Sequence, residues 1–126
     1  NKSERERFQQ KDKEPEKPDT ADQQLLKQAE QIVMDNISES EFKVTDLAKN
    51  IGYSQRQLSR IINRLTGLSP VSFILEIRLQ KAYQLLQNRQ FATVSEVRYE
   101  VGIESAAYFT TKFKQRFGKS PKEFLG

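Results

Sequence analysis

One pattern occurs twice in this chain, and it constrains the fold more than any other feature. Four positions recur at an offset of 50 residues, with Val44, Leu47, Ile51 and Gly52 matching Val94, Val97, Val101 and Gly102. After a one-residue insertion the offset becomes 51, and Leu58, Ile62 and Gly67 match Phe109, Phe113 and Gly118. Ser69-Pro70 likewise returns as Ser120-Pro121. A repeat of this kind indicates two copies of one small structural unit.

The first copy has the pattern of a helix, a tight turn and a second helix. Thr45 is placed to cap the first helix, and Gly52 suits a turn that requires a positive φ. Ser54 and Gln57 form a capping box for the second helix, whose apolar residues fall at i, i+3, i+4 and i+7: Leu58, Ile61, Ile62 and Leu65. The opposite face bears hydrogen-bonding side chains and no acid, namely Arg56, Ser59, Arg60 and Asn63. These two faces favour a helix that lies in the major groove of DNA.

The rest of the chain predicts helices only. A helix starts at Thr20 or Asp22 and runs to about residue 36, and Pro70 opens one that runs to about Gln87, which would be near 27 Å long. In the second copy Ser95 and Ser105 are placed as caps, and Phe109, Phe113 and Phe117 have the spacing of a buried stripe. We therefore predict an all-α fold of about seven helices, with two helix-turn-helix units joined by a long linking helix.

The expected domain boundaries follow from composition. Residues 1–19 contain two Pro and Phe8 as their one large apolar residue, so they predict a charged flexible linker. A linker from an upstream domain, with a short helix at residues 4–10, and a plain disordered tail fit equally well. Residues 20–126 are expected to form one domain, divided into units 20–68 and 89–126 around the linking helix 69–88. Because Asn1 is not Met, we expect a fragment of a longer protein.

The residue types exclude several classes of function. The chain has no Cys and no His, which argues against a zinc site and against His-based catalysis, so we expect no enzyme, metal, cofactor or small-molecule ligand. It has no signal-peptide pattern and no apolar run that could span a bilayer, which predicts a cytoplasmic segment without membrane contact. The net charge of +4 belongs to residues 21–126, because residues 1–20 hold six basic and six acidic side chains. Clusters of basic residues on and after the second helix of each unit favour nucleic acid.

From Thr20 to Gly126 the sequence resembles the DNA-binding domain of AraC/XylS-family bacterial transcription regulators. The shared positions occur in the family's order and include Leu47-Ala48, Gly52-Tyr53-Ser54, Leu58-Ser59-Arg60, Ser69-Pro70, Arg78-Leu79, Ala82, Leu85-Leu86, Val101-Gly102, Tyr108-Phe109, Phe113-Lys114, Phe117-Gly118 and Ser120-Pro121. The resemblance implies that the second helix of each unit enters one of two successive major grooves, which lie about 34 Å apart.

The resemblance also implies which side chains meet DNA. The base-reading candidates are Arg56, Ser59 and Arg60 in the first unit and Ala106, Ala107, Tyr108 and Thr111 in the second. Arginine can bind guanine with two hydrogen bonds, and alanine can contact a thymine methyl group. Tyr108 fits groove contact and half-buried packing about equally. The candidates for phosphate contacts are Gln55, Asn63, Arg64, Lys112, Lys114 and Lys119.

Two positions leave an alternative open. Family members have Ala where this chain has Arg98, and an arginine there is expected to extend out of the packing or to displace it. The second reading helix is also poor in long donors. Arg98 and this helix together suggest an alternative function, a degenerate protein-interaction module with weak, non-specific DNA affinity.

Arg78 is expected to be structural and paired with an acid, and Glu96, Glu100 and Glu104 are expected to form a solvated helix face.

The segment Arg5-Glu6-Arg7-Phe8 resembles the joint that follows a receiver domain in hybrid two-component regulators. This second resemblance implies phosphorelay control by an upstream receiver or sensor domain. It also implies a tether to the inner membrane through such domains. The expected partners are double-stranded DNA, the transcription machinery and the upstream domain.

Overall fold

The computed structural model describes residues 20–125, and this part of the chain is helical. Its elements are α1 (Thr20–Asp35), α2 (Val44–Ile51), α3 (Gln55–Thr66), α4 (Pro70–Gln87), α5 (Val94–Glu100), α6 (Ala106–Phe117) and α7 (Pro121–Leu125). No strand occurs between residues 20 and 125. The predicted all-α fold with two helix-turn-helix units and a long linking helix is therefore confirmed. The predicted linker 1–19, with its short helix and its Arg5-to-Phe8 motif, lies outside the described residues.

Serine caps start three of the helices where the sequence predicted them. Ser54, Ser69 and Ser105 precede α3, α4 and α6, and each side chain accepts a hydrogen bond from the backbone N–H three residues later, at 3.1, 3.2 and 3.1 Å. Such a bond satisfies one of the backbone donors that a helix leaves without an intrahelical partner. The starts of the two predicted reading helices are therefore fixed by local sequence.

Helices α2 and α5 begin earlier than predicted. Lys43, not Thr45, is the N-cap of α2, and its backbone N–H donates to Asp46 at 2.9 Å. Val44 is partly buried against the core, so the first turn of α2 includes this residue and begins before Thr45. Thr93, not Ser95, caps α5 and forms a capping box with Glu96. Glu96 therefore helps to cap the start of α5 and is also exposed, as expected for a solvated face.

Helix α4 is shared between two hydrophobic clusters. Its N-terminal half contributes Phe73 and Ile74 to a cluster with α1, α2 and α3, which we call the first lobe. Its C-terminal half contributes Leu79, Ala82, Leu85 and Leu86 to a cluster with α5, α6 and α7, which we call the second lobe. Phe109 and Phe113 are fully buried in the second cluster, as their spacing predicted. One continuous helix thus carries both units.

The turns of both units contain a glycine with a positive φ. Gly52 ends α2 at φ +83°, and Gly102 follows α5 at φ +72°. Both values lie in the left-handed region of backbone conformation, which residues other than glycine adopt only at a cost in free energy. The second unit therefore keeps its turn although Arg98 replaces an alanine.

The expectation that Arg98 extends out of the packing was wrong, since only 8% of the residue is exposed. Nη1 donates to the carbonyl oxygen of Ile103 at 3.0 Å and to that of Glu104. The guanidinium thus lies within its own helix-turn-helix unit, where backbone carbonyls of the α5–α6 turn satisfy it.

Candidate nucleic-acid interface

Helix α3 presents its polar face outward. Leu58 and Ile62 are buried in the first lobe, while Arg56 and Arg60 are exposed and Ser59 is half-buried. In the described part of the chain, no acidic side chain forms an ion pair with Arg56 or Arg60. Two arginines one turn apart therefore point away from the core with their donors available.

Arg64 is placed differently, although it lies one further turn along the same helix. Its Nη1 is 2.6 Å from the Asp22 carboxylate of α1. No local pattern indicates this pair, because Asp22 lies 42 residues earlier. The ion pair holds α1 against α3 and competes with the phosphate contact predicted for Arg64.

Helix α6 presents a smaller and less charged face. Ala106, Ala107, Tyr108 and Thr111 are all exposed, and Phe109 and Phe113 point the opposite way into the second lobe. Tyr108 keeps 46% of its surface exposed, and the Lys112 ammonium lies 5.7 Å from the centre of its ring. The predicted reading residues of this unit thus share one accessible surface.

Val71 belongs to the same surface, and the sequence reasoning missed it. It is 65% exposed at the start of α4. On one side it lines a groove of about 340 Å³ with Arg56 and Ser59, and on the other a groove of about 360 Å³ with Ser105 and Tyr108. The N-terminal ends of α3 and α6 therefore lie on the same side of the molecule, with the start of α4 between them. A valine directly after the helix-opening Pro70, outside the buried stripe, was the available signal.

Most of the predicted phosphate-contact residues are solvent-exposed side chains. Gln55, Asn63, Lys114 and Lys119 are exposed, and Lys112 is half-buried. The helix N-termini at Ser54 and Ser105 add backbone N–H groups, which attract anions together with the helix dipole. These side chains and N–H groups are therefore accessible to solvent or to an anion.

Arg116 has a structural partner despite its position in a basic run. Its Nε and Nη2 bind the Glu76 carboxylate of α4 at 3.0 and 2.9 Å. Burial raises the pKa of Glu76, but the hydrogen bonds from Arg116 and Gln80 and the charge of Arg116 outweigh it, so this pKa lies below its ordinary value. The hydrogen bonds that Arg116 donates to Glu76, together with the charge of that carboxylate, raise the pKa of Arg116. This two-point contact holds α6 against the linking helix.

The described residues show neither a metal site nor a membrane span. Between residues 20 and 125, no three His, Cys, Asp or Glu side chains come together as a metal site. None of the helices described is both long and apolar enough to cross a bilayer. The features that stand out are the two exposed polar helix faces and the basic groups around them.

Two capped reading helices, each behind a glycine turn and exposed on one side, define a helix-turn-helix DNA-binding domain. Residues 47–126 match a protein family described as "Helix-turn-helix domain". The chain belongs to this family, in its AraC type.

Three similar proteins illustrate the relationship. Histidine kinase P4 of Formosa agariphila is 37% identical over 103 residues, which are 82% of this chain and 7% of that protein. The structure of an AraC-type transcriptional regulator from Chromobacterium violaceum has a TM-score of 0.75 and 29% identity, covering 85% of this chain and 94% of its own. The DNA-binding domain of AdpA in complex with a target DNA has a TM-score of 0.70 and 26% identity, covering 79% and 88%. The chain thus corresponds to only part of its curated relatives, namely 7% of the length of Histidine kinase P4 and 30% of that of a second relative.

Proposed function

We propose that this domain binds double-stranded DNA sequence-specifically as the output domain of a bacterial transcription regulator. Helices α3 and α6 enter two successive major grooves on one side of the duplex. The observation that carries the proposal is the shared surface around Val71, on which Arg56 and Tyr108 flank the start of one rigid helix.

The two reading helices have different roles in this proposal. Arg56 and Arg60 bind base edges, with guanine as the preferred partner, and Ser59 contacts the base between them. Ala106, Ala107, Tyr108 and Thr111 offer apolar contacts and hydroxyls, which suit thymine methyl groups and leave a looser base preference. Gln55, Asn63, Lys112, Lys114 and Lys119 bind phosphates and set the position of the domain on the duplex. Arg64 takes part only when its pair with Asp22 opens.

A selection of bound duplexes from a random pool tests the proposal. The expected outcome is a site of two short blocks about one helical turn apart, with the stronger preference in one block. Titrations of the selected site and of a random duplex at two salt concentrations should show a steep loss of affinity for both as salt rises. A weak and salt-insensitive response without an enriched sequence would favour the protein-interaction module. One ground for that alternative was Arg98, which the second unit accommodates without losing its turn.

We further propose that an upstream phosphorelay domain controls this output. The support is the charged composition of residues 1–19 and the similarity to a protein named as a histidine kinase. In that arrangement the domain acts on the transcription machinery at the cytoplasmic side, with a tether to the inner membrane through upstream domains. A longer chain that includes the upstream domains should bind the selected site with different affinity before and after phosphorylation. Equal affinities would contradict this control.

A further inference from the structure

Arg78 is a buried cation that contacts both lobes. It lies in the middle of α4 and is 5% exposed. In the first lobe its guanidinium donates to the carbonyl oxygens of Ile37, Glu39 and Phe42, at 2.7, 3.1 and 3.3 Å. In the second lobe it donates to those of Val101 and Gly102, at 2.6 and 3.1 Å. The expected acidic partner is absent from the described residues, and backbone carbonyls take its place.

The acceptors belong to two connecting segments. Residues 37–42 join α1 to α2, and residues 101–104 join α5 to α6; together with Arg78 we call them the lobe joint. Val101 lies at the C-terminal end of α5, where the helix dipole favours a cation. Burial lowers the pKa of Arg78 from its ordinary value, but a guanidinium stays charged in a protein, so five carbonyl dipoles stabilise a permanent charge.

Two further contacts close the same joint. The Ser40 hydroxyl donates to the Glu104 carboxylate at 3.0 Å, which directly links the two segments. Glu104 therefore has a role beyond the solvated face expected for it. Ile37 also packs against the hydrophobic cluster of the second lobe. The joint thus combines hydrogen bonds and apolar contact across the lobes.

Gly102 shows how closely the joint is packed. A Cβ atom added at this residue would overlap Nη1 of Arg78 and the carbonyl oxygen of Ile37. At Gly52, the equivalent glycine of the first unit, an added Cβ would meet nothing within 4 Å. Both residues have a positive φ, so they share the same backbone strain on substitution. Gly52 and Gly102 therefore form a matched pair for substitution, in which only Gly102 belongs to the lobe joint.

We propose that Arg78 is a positioning residue that fixes the angle between the two reading helices and so sets the half-site spacing that the domain accepts. This inference rests on the proposed DNA function. The second-lobe segment of the joint leads directly into Ser105, the N-cap of α6, so a shift at residues 101–104 moves the end of α6 that carries Ala106 and Tyr108. The two terminal nitrogens of the guanidinium reach all five carbonyls at once, whereas the single ammonium of a lysine has three donors and serves at most three of them.

The first experiment measures the lobes without DNA. Because the chain has no Cys, Lys49→Cys in α2 and Gln115→Cys in α6 give two unique sites for spin labels. Both residues are exposed. Pulsed electron paramagnetic resonance should give one narrow distance distribution for the parent protein. It should broaden in Arg78→Met, which keeps an unbranched apolar side chain without the guanidinium, and in Gly102→Ala, but not in Gly52→Ala.

Arg78→Lys is the milder variant if Arg78→Met fails to fold, and an intermediate broadening is expected for it. Unchanged distributions in every folded joint variant would overturn the proposal. Equal broadening in Gly52→Ala and Gly102→Ala would also overturn it, because backbone strain at a turn would then be sufficient. A purely stabilising role for Arg78 would lower the melting temperature and leave the distribution narrow.

The second experiment measures spacing on DNA. Insertion of one base pair between the two blocks of the selected site rotates them by roughly 34° and should weaken parent binding strongly. A loosened joint lowers the effective concentration of the second helix, so Arg78→Met should bind the best site several-fold more weakly and lose proportionally less on insertion. An insertion penalty equal to that of the parent would overturn the spacing role. If the distance distributions broaden in the joint variants but the parent shows no site-specific binding, the proposed DNA function is contradicted. The role of Arg78 in holding the two lobes at a fixed angle would still stand.

Discussion

Among single residues, four arginines bind other groups of the folded chain. They differ in what surrounds them rather than in their local sequence. Arg64 pairs with Asp22, Arg116 with Glu76, and Arg78 and Arg98 bind backbone carbonyls. Arg56 and Arg60, in the described part of the chain, form no ion pair and are exposed. A base-reading role is therefore best tested at Arg60, with Arg64 as the comparison one turn away.

Arg60→Ala should weaken binding to the selected site by about 1–3 kcal/mol and relax the base preference in one block, because a two-hydrogen-bond contact with a base edge is lost. Titration of the best site and of its single-base variants measures both effects. Arg64→Ala removes the same charge from the same helix, but its side chain already binds Asp22. It should lower affinity less and leave base preference unchanged. A change of preference in Arg64→Ala alone would contradict the assigned reading face.

At the element scale, the helix starts show where local sequence decides and where packing does. Ser54, Ser69 and Ser105 cap α3, α4 and α6 as predicted, because each is followed by a turn whose N–H groups its hydroxyl can reach. Thr45 and Ser95 have the same chemistry but lie inside α2 and α5. The Thr-x-x-Glu spacing from Thr93 to Glu96 was a readable signal that the cap prediction overlooked.

Ser105→Ala should lower the free energy of unfolding by about 1 kcal/mol, because the N–H of Tyr108 loses its acceptor at the start of α6. Ser95→Ala is the matched control, since this residue is exposed and lies within α5. Its effect should stay within about 0.5 kcal/mol. Chemical denaturation of both variants provides the measurement. A loss for Ser95→Ala as large as that for Ser105→Ala would show that Ser95 acts as the cap.

At the scale of the whole molecule, α4 connects the lobes through two apolar clusters, the lobe joint and the Glu76–Arg116 pair. These contacts make the relative position of α3 and α6 a property of the folded domain rather than of either unit alone. Acid pH acts on the Glu76–Arg116 pair, because protonation of the Glu76 carboxylate removes its charge.

The pKa of Glu76 in the folded protein lies below the ordinary value of 4.5, so its contribution to stability is present above that pH and is lost as pH falls through the folded pKa. Glu76→Gln should therefore lower stability at pH 7 and show a weaker further loss between neutral and acid pH. The effect should stay below about 1 kcal/mol, because the pair lies near the surface. Unfolding curves at several pH values test this. Parallel pH profiles for the parent and the variant would contradict it.

The helices, the two glycine turns and the buried face of each reading helix are predictable from local patterns in the chain. These features depend on a 3.6-residue period, on caps and on φ, which act within a few residues of each other. The partners of Arg64, Arg78, Arg98 and Arg116 and the place of Val71 between the reading helices depend instead on how the helices pack. Arg78 meets the Ile37 carbonyl across 41 positions and Arg116 meets Glu76 across 40. A backbone carbonyl is the same group in every residue type, so only folding could show which ones the buried arginines bind.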